Sequence, residues 1–515
     1  MNEQFEMIAK TFQGLEEILA EELTALGAND IQIGRRMVSF TGDKRMMYKA
    51  NFCLRTAIRI LKPIKNFTAK DADEVYNEIQ AIPWEEYLDV NKTFAIDAVV
   101  FSEEFRHSKF VSYKVKDAIV DYFREKTGKR PSVRISNPDV LLNIHIAQTT
   151  CTLSLDSSGE SLHRRGYRQE AVEAPLNEVL AAGMILMTGW RGECDLIDPM
   201  CGSGTIPVEA ALIARNIAPG VFRKGFAFEK WVDFDADMFD ELYNDDSQER
   251  EFTHKIYGYD NNPKANEIAT HNIKAAGVSK DVVLKLQPFQ QFEQPKEKSV
   301  IITNPPYGER ISTNDLLGLY QMIGERLKHA FVGNEAWVLS YREECFDQIG
   351  LKASQKVPLF NGPLECEFRK YEIFDGKYKE FKSQEEAGEE LIQEPELVPL
   401  LPHFMEEQKE GLTGASRGSA YHKFLELHDF SKEYTEELLK EEIELFYQAG
   451  RLSKEMADCI RTKDILAFLN SESGRRMTQA AGNGKLRKEQ PFVLGVAASE
   501  IYPEIYQDIQ KKSQE

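Results

Sequence analysis

An α/β fold with an α+β region in front of it and a mostly helical segment behind it is what this 515-residue chain predicts. Three observations carry that prediction. From about residue 170, short apolar runs alternate with amphipathic ones, as strands alternate with covering helices in a parallel sheet. Before that point, strand and helix patterns come with hairpin-like returns. After about residue 381, a stretch rich in Glu, Gln and Pro leads into helix-period sequence such as SKEYTEELLKEEIELFYQAG. The length suits two to four domains, and the absence of an internal repeat excludes a solenoid.

The first elements follow from local pattern. MIAKTFQGLEEILAEELTALGANDIQIGRRMVSFTGD reads as a strand, a helix with Leu15, Ile18, Leu19, Leu23 and Leu26 on one face, and a return, with Gly27 as the helix C-cap. TFAIDAVV predicts a strand, KFVSYKVKDAIVDYFREKTG a basic helix, and LLNIHIAQTTCTLSLD a further strand. Then APLNEVLAAGMILMTG predicts a helix, CDLIDPM a strand, IPVEAALIARNI a helix and KIYGYD a strand. Asn262 and Pro263 mark the N-cap and first turn of the next helix. DVVLKLQ, SVIITN and EAWVLS complete the strand series.

Composition narrows the class. At 42% hydrophobic and 29% charged, with no run near the ~18 apolar residues of a membrane span, the chain reads as a globular protein with no membrane partner. Its N-terminus lacks a basic start followed by an apolar stretch, so a cytoplasmic location is expected. Seven cysteines without a CxxC pair argue against a zinc ribbon and a disulfide framework, so no metal is expected and most are read as core residues. The net charge of −20 is uneven: residues 384–450 hold 17 acidic and 5 basic residues, whereas 106–134 hold 9 Lys or Arg against 3 Asp or Glu. Partners must therefore be judged segment by segment.

Two motifs carry chemistry. LIDPMCGSGTIPVEAA places a tight loop with Gly202 and Gly204 between a strand and a helix, where backbone can approach a ligand closely. The loop lacks a GKS or GKT ending and carries Asp198 at the strand tip, which would repel a triphosphate and suits a cation. Asp260, ending the next strand, stands where ribose hydroxyls are bound. A nucleoside bearing an ammonium or sulfonium group satisfies both. The second motif, Asn304-Pro305-Pro306-Tyr307, ends the apolar strand SVIIT with an acceptor, two residues without N–H groups and a ring. An exocyclic amine is a poor nucleophile because its lone pair is delocalised, so gripping it is the chemistry this motif suits.

These residues resemble the first and fourth motifs of class I S-adenosylmethionine-dependent methyltransferases, the fourth being that of enzymes acting on planar exocyclic nitrogens of adenine, cytosine, guanine or glutamine amide. With HRRGYRQEAVEAPLNEVLAAGMILMTGW, NPPYGER and NGPLECEFRKYEI, residues 1 to about 380 resemble the guanine-N2 methyltransferases of bacterial 23S ribosomal RNA, in particular the N-terminal half of the bifunctional enzyme. The resemblance implies a ferredoxin-like region over 1–60, a THUMP RNA-binding domain over 61–165 and a Rossmann-like catalytic domain over 166–380. It implies S-adenosylmethionine as cofactor and 23S rRNA or its large-subunit precursor as partner.

Carried over by position, the cofactor residues are Asp198, Cys201, Gly202, Ser203, Gly204, Thr205, Asp260, Asn261 and Gln287. The catalytic set is Asn304, Pro305, Pro306 and Tyr307. In the family pattern the Asn oxygen and the first Pro carbonyl accept the amine N–H groups while the Tyr stacks on the base. Lys109, Lys114, Lys116, Arg130 and Arg134 are RNA-phosphate candidates, and Arg165 and Arg168 face the RNA or fix the loop beside the cofactor. APLNE, 174–178, lines the pocket or starts a packing helix. Where relatives carry an Asp after the third strand this chain has Pro288, which leaves Gln287, Gln290 or a backbone carbonyl for the adenine amino group and Phe289 to cover the ring. An adenine-N6 methyltransferase and a non-catalytic RNA-binding or assembly factor are the alternatives.

After an acidic linker at 381–413, residues 414–515 resemble the nuclease region of AddAB-type helicase-nuclease subunits, with His422 and Glu426 matching its HxxxE motif. The sequence ends at Glu515 before the residues that would complete a two-carboxylate metal site, so no nuclease activity is expected. An interaction module fused to the chain and a join of two gene fragments both fit, and a DNA-processing role would need DNA binding by this segment.

Overall fold

The structure, a computed structural model, describes residues 3–105, 108–171, 175–293, 298–306 and 313–374, with discontinuous stretches between 421 and 481. Residues 1–390 form one compact unit and 391–515 a second.

The first unit begins with β1 (Phe5–Lys10), α1 (Glu16–Leu26), β2 (Asn29–Gly34), β3 (Met37–Gly42), α2 (Lys44–Cys53) and β4 (Arg59–Thr68). It continues through α3 (Ala72–Gln80), β5 (Thr93–Phe101), α4 (Ser108–Thr127), β6 (Ser132–Val133), β7 (Val140–Ala147) and β8 (Thr150–Asp156). All eight strands join one sheet in the order β2-β3-β1-β4-β8-β7-β5-β6. Leu15, Leu19 and Leu23 are fully buried, so the apolar stripe of α1 faces the core as its spacing requires. Gly27 closes α1 in the left-handed conformation at φ 86°, and the Ala28 N–H returns to the Leu23 carbonyl.

One strand expected from sequence is two. LLNIHIAQTTCTLSLD folds into the antiparallel pair β7–β8, with Gln148 at φ 54° in the turn. The alternation of apolar residues continues across the turn, and no Gly, Pro or Asn marks it, so the pattern alone gives one long strand.

The second sheet is built from α5 (Glu178–Met187), β9 (Asp195–Asp198), α6 (Thr205–Ala214), α7 (Ala236–Tyr243), β10 (Ile256–Asp260), α8 (Pro263–Ala275) and β11 (Val282–Leu286). Then come β12 (Ser299–Thr303), α9 (Thr313–Ala330), β13 (Glu335–Ser340), α10 (Glu343–Ile349), β14 (Gln355–Asn361) and β15 (Leu364–Glu372). The order is β11-β10-β9-β12-β13-β15-β14, parallel as far as β13 and antiparallel beyond it. The Asn262 side chain accepts from the Lys264 and Ala265 amides with Pro263 in the first turn of α8, a cap of the kind that contributes about 1 kcal/mol. Every residue of α6 is buried, which its composition TIPVEAALIA allows on all sides.

The aromatic residues before and within α7 went unread in the sequence. Phe226, Phe228, Trp231 and Phe239 pack into the core of the first sheet, where the Phe228 ring stacks on Tyr48 with centroids 4.3 Å apart. This segment, inserted between α6 and β10, clamps the two sheets together. The linker before α5 is seated on it through Gly166, at φ 109°, where a Cβ would lie 2.1 Å from the Phe222 carbonyl oxygen.

In the second unit, α11 (Glu436–Gln448) and α12 (Thr462–Leu469) gather Phe424, Leu439, Ile443, Phe446 and Ile465 into a small core. Its described part is helical. His422 and Glu426 lie outside the described residues. Among the described residues no helix is long and apolar enough to cross a membrane.

Gly166→Ala should destabilise the chain by about 2–4 kcal/mol in urea unfolding, because strain at positive φ and a backbone clash act together. Gly189→Ala, also at positive φ but with open space around its Cβ, should cost only about 1 kcal/mol.

Candidate active site

Parallel register brings three strand ends together. Asp198 of β9 stands level with Gly258 of β10, so Asp260 lies two residues further along. On the other side Ile197 is level with Ile301 of β12, which puts Asn304 two residues beyond the level of Asp198. Each two-residue step is about 6.6 Å, so Asp260 and Asn304 flank the end of β9. Chain order reverses between β9 and β12, the point where open α/β sheets hold ligands outside the carboxyl ends of their strands.

The glycine loop crosses this edge. The Cys201 N–H donates to the Tyr259 carbonyl, and the Gly204 N–H to the Cys201 carbonyl. Gly202 is at φ 53° with nothing within 4 Å of where its Cβ would be, so the loop presents bare backbone to open space. Asp260 does more than its expected role required. It accepts from the Gly202 amide at 2.9 Å and from the Asn262 amide at 2.8 Å, holding the loop against β10. Ser203 and Thr205 are buried at the start of α6, whereas Asn261 is exposed. The Cys201 thiol is buried, and desolvation with the nearby charges of Asp198 and Asp260 pushes it well above its ordinary range, so it is no nucleophile. Its sulfur lies 3.3 Å from where a Cβ on Gly258 would be, which explains a glycine in β10.

Asp198 is 1% exposed. Burial pushes its carboxyl up to about 8, the Met200 amide partly offsetting this, and the Asp260 charge pushes the same way. Asn304 supplies a second unmet demand. Its Oδ1 is buried and has no hydrogen-bond partner among the described residues, a state that costs about 1–3 kcal/mol unless a ligand donor fills it. Pro305 is buried and Pro306 exposed, while Tyr307 lies outside the described residues. The Gln287 N–H donates to the Asp260 carbonyl and its side-chain amide to the Gln291 carbonyl, which ties it beside β10.

Arg165 and Phe289 depart from their expected roles, and Arg168 takes one of its two. Arg165 is 1% exposed and does not face RNA: it pairs with buried Glu209 of α6 and donates to the Leu162 and Arg55 carbonyls. Arg168, 16% exposed, also turns inward. It binds Glu178 at 2.8 Å, the Leu176 carbonyl at 2.9 Å and the Thr205 hydroxyl at 3.0 Å, fixing the helix that follows the glycine loop. A paired cation in a sequence full of exposed ones carries no local mark of its partner; the RNA-facing alternative fails for both Arg residues, while the other, fixing the loop beside the cofactor, is the one the Arg168–Thr205 bond fits. Phe289 is buried against Phe331 in the hydrophobic core and is not free to cover a ring. In APLNE, Asn177 caps α5 and Glu178 anchors Arg168, the packing role.

Asn272 of α8 is a site residue the sequence did not disclose. Its amide donates to the Ser203 carbonyl and to the Glu170 carbonyl, and its oxygen accepts from the Gln169 amide, tying the linker to the glycine loop. Of the basic candidates, Lys109, Arg130 and Arg134 are exposed, Lys114 pairs with Asp73 at 2.6 Å and Lys116 with Asp117 at 2.7 Å. Among the described residues there is no group of three His, Cys, Asp or Glu placed to hold a metal.

Residues 165–370 match the RMKL-like methyltransferase domain family, 69–156 the THUMP domain and 6–61 the RlmL ferredoxin-like domain. The chain is 39% identical over 392 residues to ribosomal RNA large subunit methyltransferase K/L of Syntrophotalea carbinolica, a match over 73% of this chain and 55% of that protein. It thus spans about half the length of that relative. It is also 39% identical over 369 residues to slr0064 of Synechocystis sp., provisionally named an RNA methyltransferase, covering 71% of this chain and 96% of that one. The solved structure of SMU.472, described as a methyltransferase candidate in complex with SAH, superposes with a TM-score of 0.67 at 30% identity over 73% of this chain and all of that one. With nearly complete coverage of two relatives at 30% identity or more, the chain belongs to the RMKL-like methyltransferases that carry a THUMP domain and use S-adenosylmethionine.

Proposed function

We propose that this chain methylates the exocyclic N2 of a guanine in 23S rRNA. The observation that carries the reading is Asn304 Oδ1 at the end of β12, buried and without a hydrogen-bond partner among the described residues. A neutral acceptor held in a preorganised, poorly hydrated position is what an amine N–H requires if its lone pair is to be turned toward an electrophile. Names among the relatives support a ribosomal substrate, and the THUMP match at 69–156 supports binding of RNA.

The residues fit the cofactor. Gly202 leaves room for close approach, Asp260 fastens the loop and retains carboxylate lone pairs for ribose hydroxyls, and Asp198 offers a buried carboxyl to a cationic group. When bound, the cofactor supplies an electrophilic methyl on a sulfonium. Asn304 and the Pro305 carbonyl accept the two N–H bonds of the guanine amine. The two prolines stiffen the turn that presents these acceptors, and Tyr307 is proposed to stack on the base. The base must leave its helix to reach this edge, so an unpaired or flipped guanine is the expected substrate. Arg168 and Asn272 act one step back, holding Thr205 and Ser203 of the glycine loop.

Asn304→Ala should lower turnover on 23S rRNA fragments by at least about 100-fold while calorimetric binding of S-adenosylmethionine stays within a factor of about two. Retained turnover, or wild-type chain that binds no cofactor, would overturn the reading. Mass analysis of nucleosides from RNA modified by the wild type should show N2-methylguanosine; N6-methyladenosine would favour the adenine alternative.

Asp198 makes cofactor binding depend on pH. Its carboxyl is neutral below about 8 in the folded chain, and a cation favours its ionised form. Affinity for S-adenosylmethionine should therefore climb from pH 6 to 8, by up to about tenfold per unit, and Asp198→Asn should bind weakly with no such slope. Stability moves the other way. A carboxyl raised on folding contributes stability that is fully present below its unfolded value near 4 and is lost as pH rises through 8. Cofactor-free Asp198→Asn should accordingly melt above wild type at pH 8, the two converging toward pH 4.

A further inference from the structure

Three large rings stand exposed in the THUMP region. Phe101, Phe110 and Tyr113 are 66%, 53% and 60% exposed. β5 ends at Phe101 and α4 begins at Ser108, so the three lie at one end of this layer. Phe110 and Tyr113, three residues apart, are neighbours on one face of α4. Each has an ammonium close to its ring: Lys114 Nζ is 5.8 Å from the Phe110 centroid, and Lys116 Nζ is 6.0 Å from that of Tyr113. Lys109, one turn before Tyr113, is exposed as well.

We propose that this end of the THUMP region binds unpaired nucleotides, stacking bases on Phe110 and Tyr113, with Phe101 extending the platform and Lys109, Lys114 and Lys116 meeting the phosphates. The proposal rests on RNA being the substrate and adds which form of RNA is held and by which residues. Magnitudes favour it. Stacking a base on an aromatic ring gains more than an exposed cation–π contact does. A base can therefore take the ring face and release the ammonium toward a phosphate. The ion pairs of Lys114 with Asp73 and Lys116 with Asp117 are exposed and oppose this weakly. A-form duplex buries its base faces in the stack, so exposed rings gain nothing from it, and only splayed bases use them. The 9 to 3 excess of basic over acidic residues at 106–134 matches a polyanion better than an apolar protein partner.

The test measures binding of the full chain to two fluorescent probes, a single-stranded RNA of about a dozen nucleotides and a duplex of similar length, across a range of salt. Phe110→Ala/Tyr113→Ala should weaken single-strand binding about 10- to 100-fold, leaving duplex binding and the salt slope unchanged, and Phe110→Trp/Tyr113→Trp should restore it. Lys109→Gln/Lys116→Gln should reduce the salt slope on both probes. Equal loss on both probes, or no loss with the alanine pair, overturns the proposal. So does an alanine pair that leaves RNA binding intact but changes the sedimentation of the chain, which would assign the rings to a protein contact. Failure of the wild type to bind either probe would instead bring down the RNA reading itself.

Discussion

Parallel pairing of β9 with β10 and β12 is the constraint from which the rest of the site follows. In-register parallel strands must end at one edge, and the reversal of chain order at β9 leaves a crevice there with no crossover helix above it. Into that crevice come a carboxyl from β9, another from β10 and an amide from the end of β12. None is near the others in sequence. Register alone makes Asp198, Asp260 and Asn304 neighbours.

The crevice is expensive to maintain. Asp198 is buried beside the Asp260 charge, and Asn304 Oδ1 is buried without a donor among the described residues. Both are tolerable because the surroundings hold them rigidly. α6 is buried on every side, Asp260 fastens Gly202, and Asn272 and Arg168 brace Ser203 and Thr205. A carboxyl that prefers to be neutral and an acceptor that lacks a donor are both demands that a cationic, amine-bearing pair of ligands would satisfy. The same groups that weaken the empty fold are those a ligand would use.

The brace reaches the first sheet. Arg165, in the linker, joins Glu209 of α6 to the Arg55 carbonyl, and Glu22 of α1 accepts from the Arg55 and Thr56 amides. Burial pushes the Glu22 carboxyl up and draws the Arg55 guanidinium down, so these charges persist only as a mutually compensating set. Together with the aromatic insert on Tyr48, they make the region that carries the basic helix and the region that carries the glycine loop parts of one body.

Much of this was written locally. Gly27 and Asn262 end and begin their helices as their residue types dictate, and the apolar runs from LIDPM to EAWVLS became β9 to β13, the central strands β9, β12 and β13 being buried along almost their whole length as a strand covered on both faces must be. Asp198, the glycines, Asp260 and NPPY declared themselves because their chemistry is unusual for strand ends. The β7–β8 turn did not, because no Gly, Pro or Asn marks it; nor did the aromatic insert, Asn272 and the inward-facing Arg165 and Arg168, whose partners are not their sequence neighbours: 44 residues separate Arg165 from Glu209, and 69 separate Asn272 from Ser203. Periodicity and capping act within a few residues and so can be read from the chain alone. The pairing of a buried charge, and the company an aromatic ring keeps, are settled only when the sheets close, because their free energy comes from desolvation that no local segment produces.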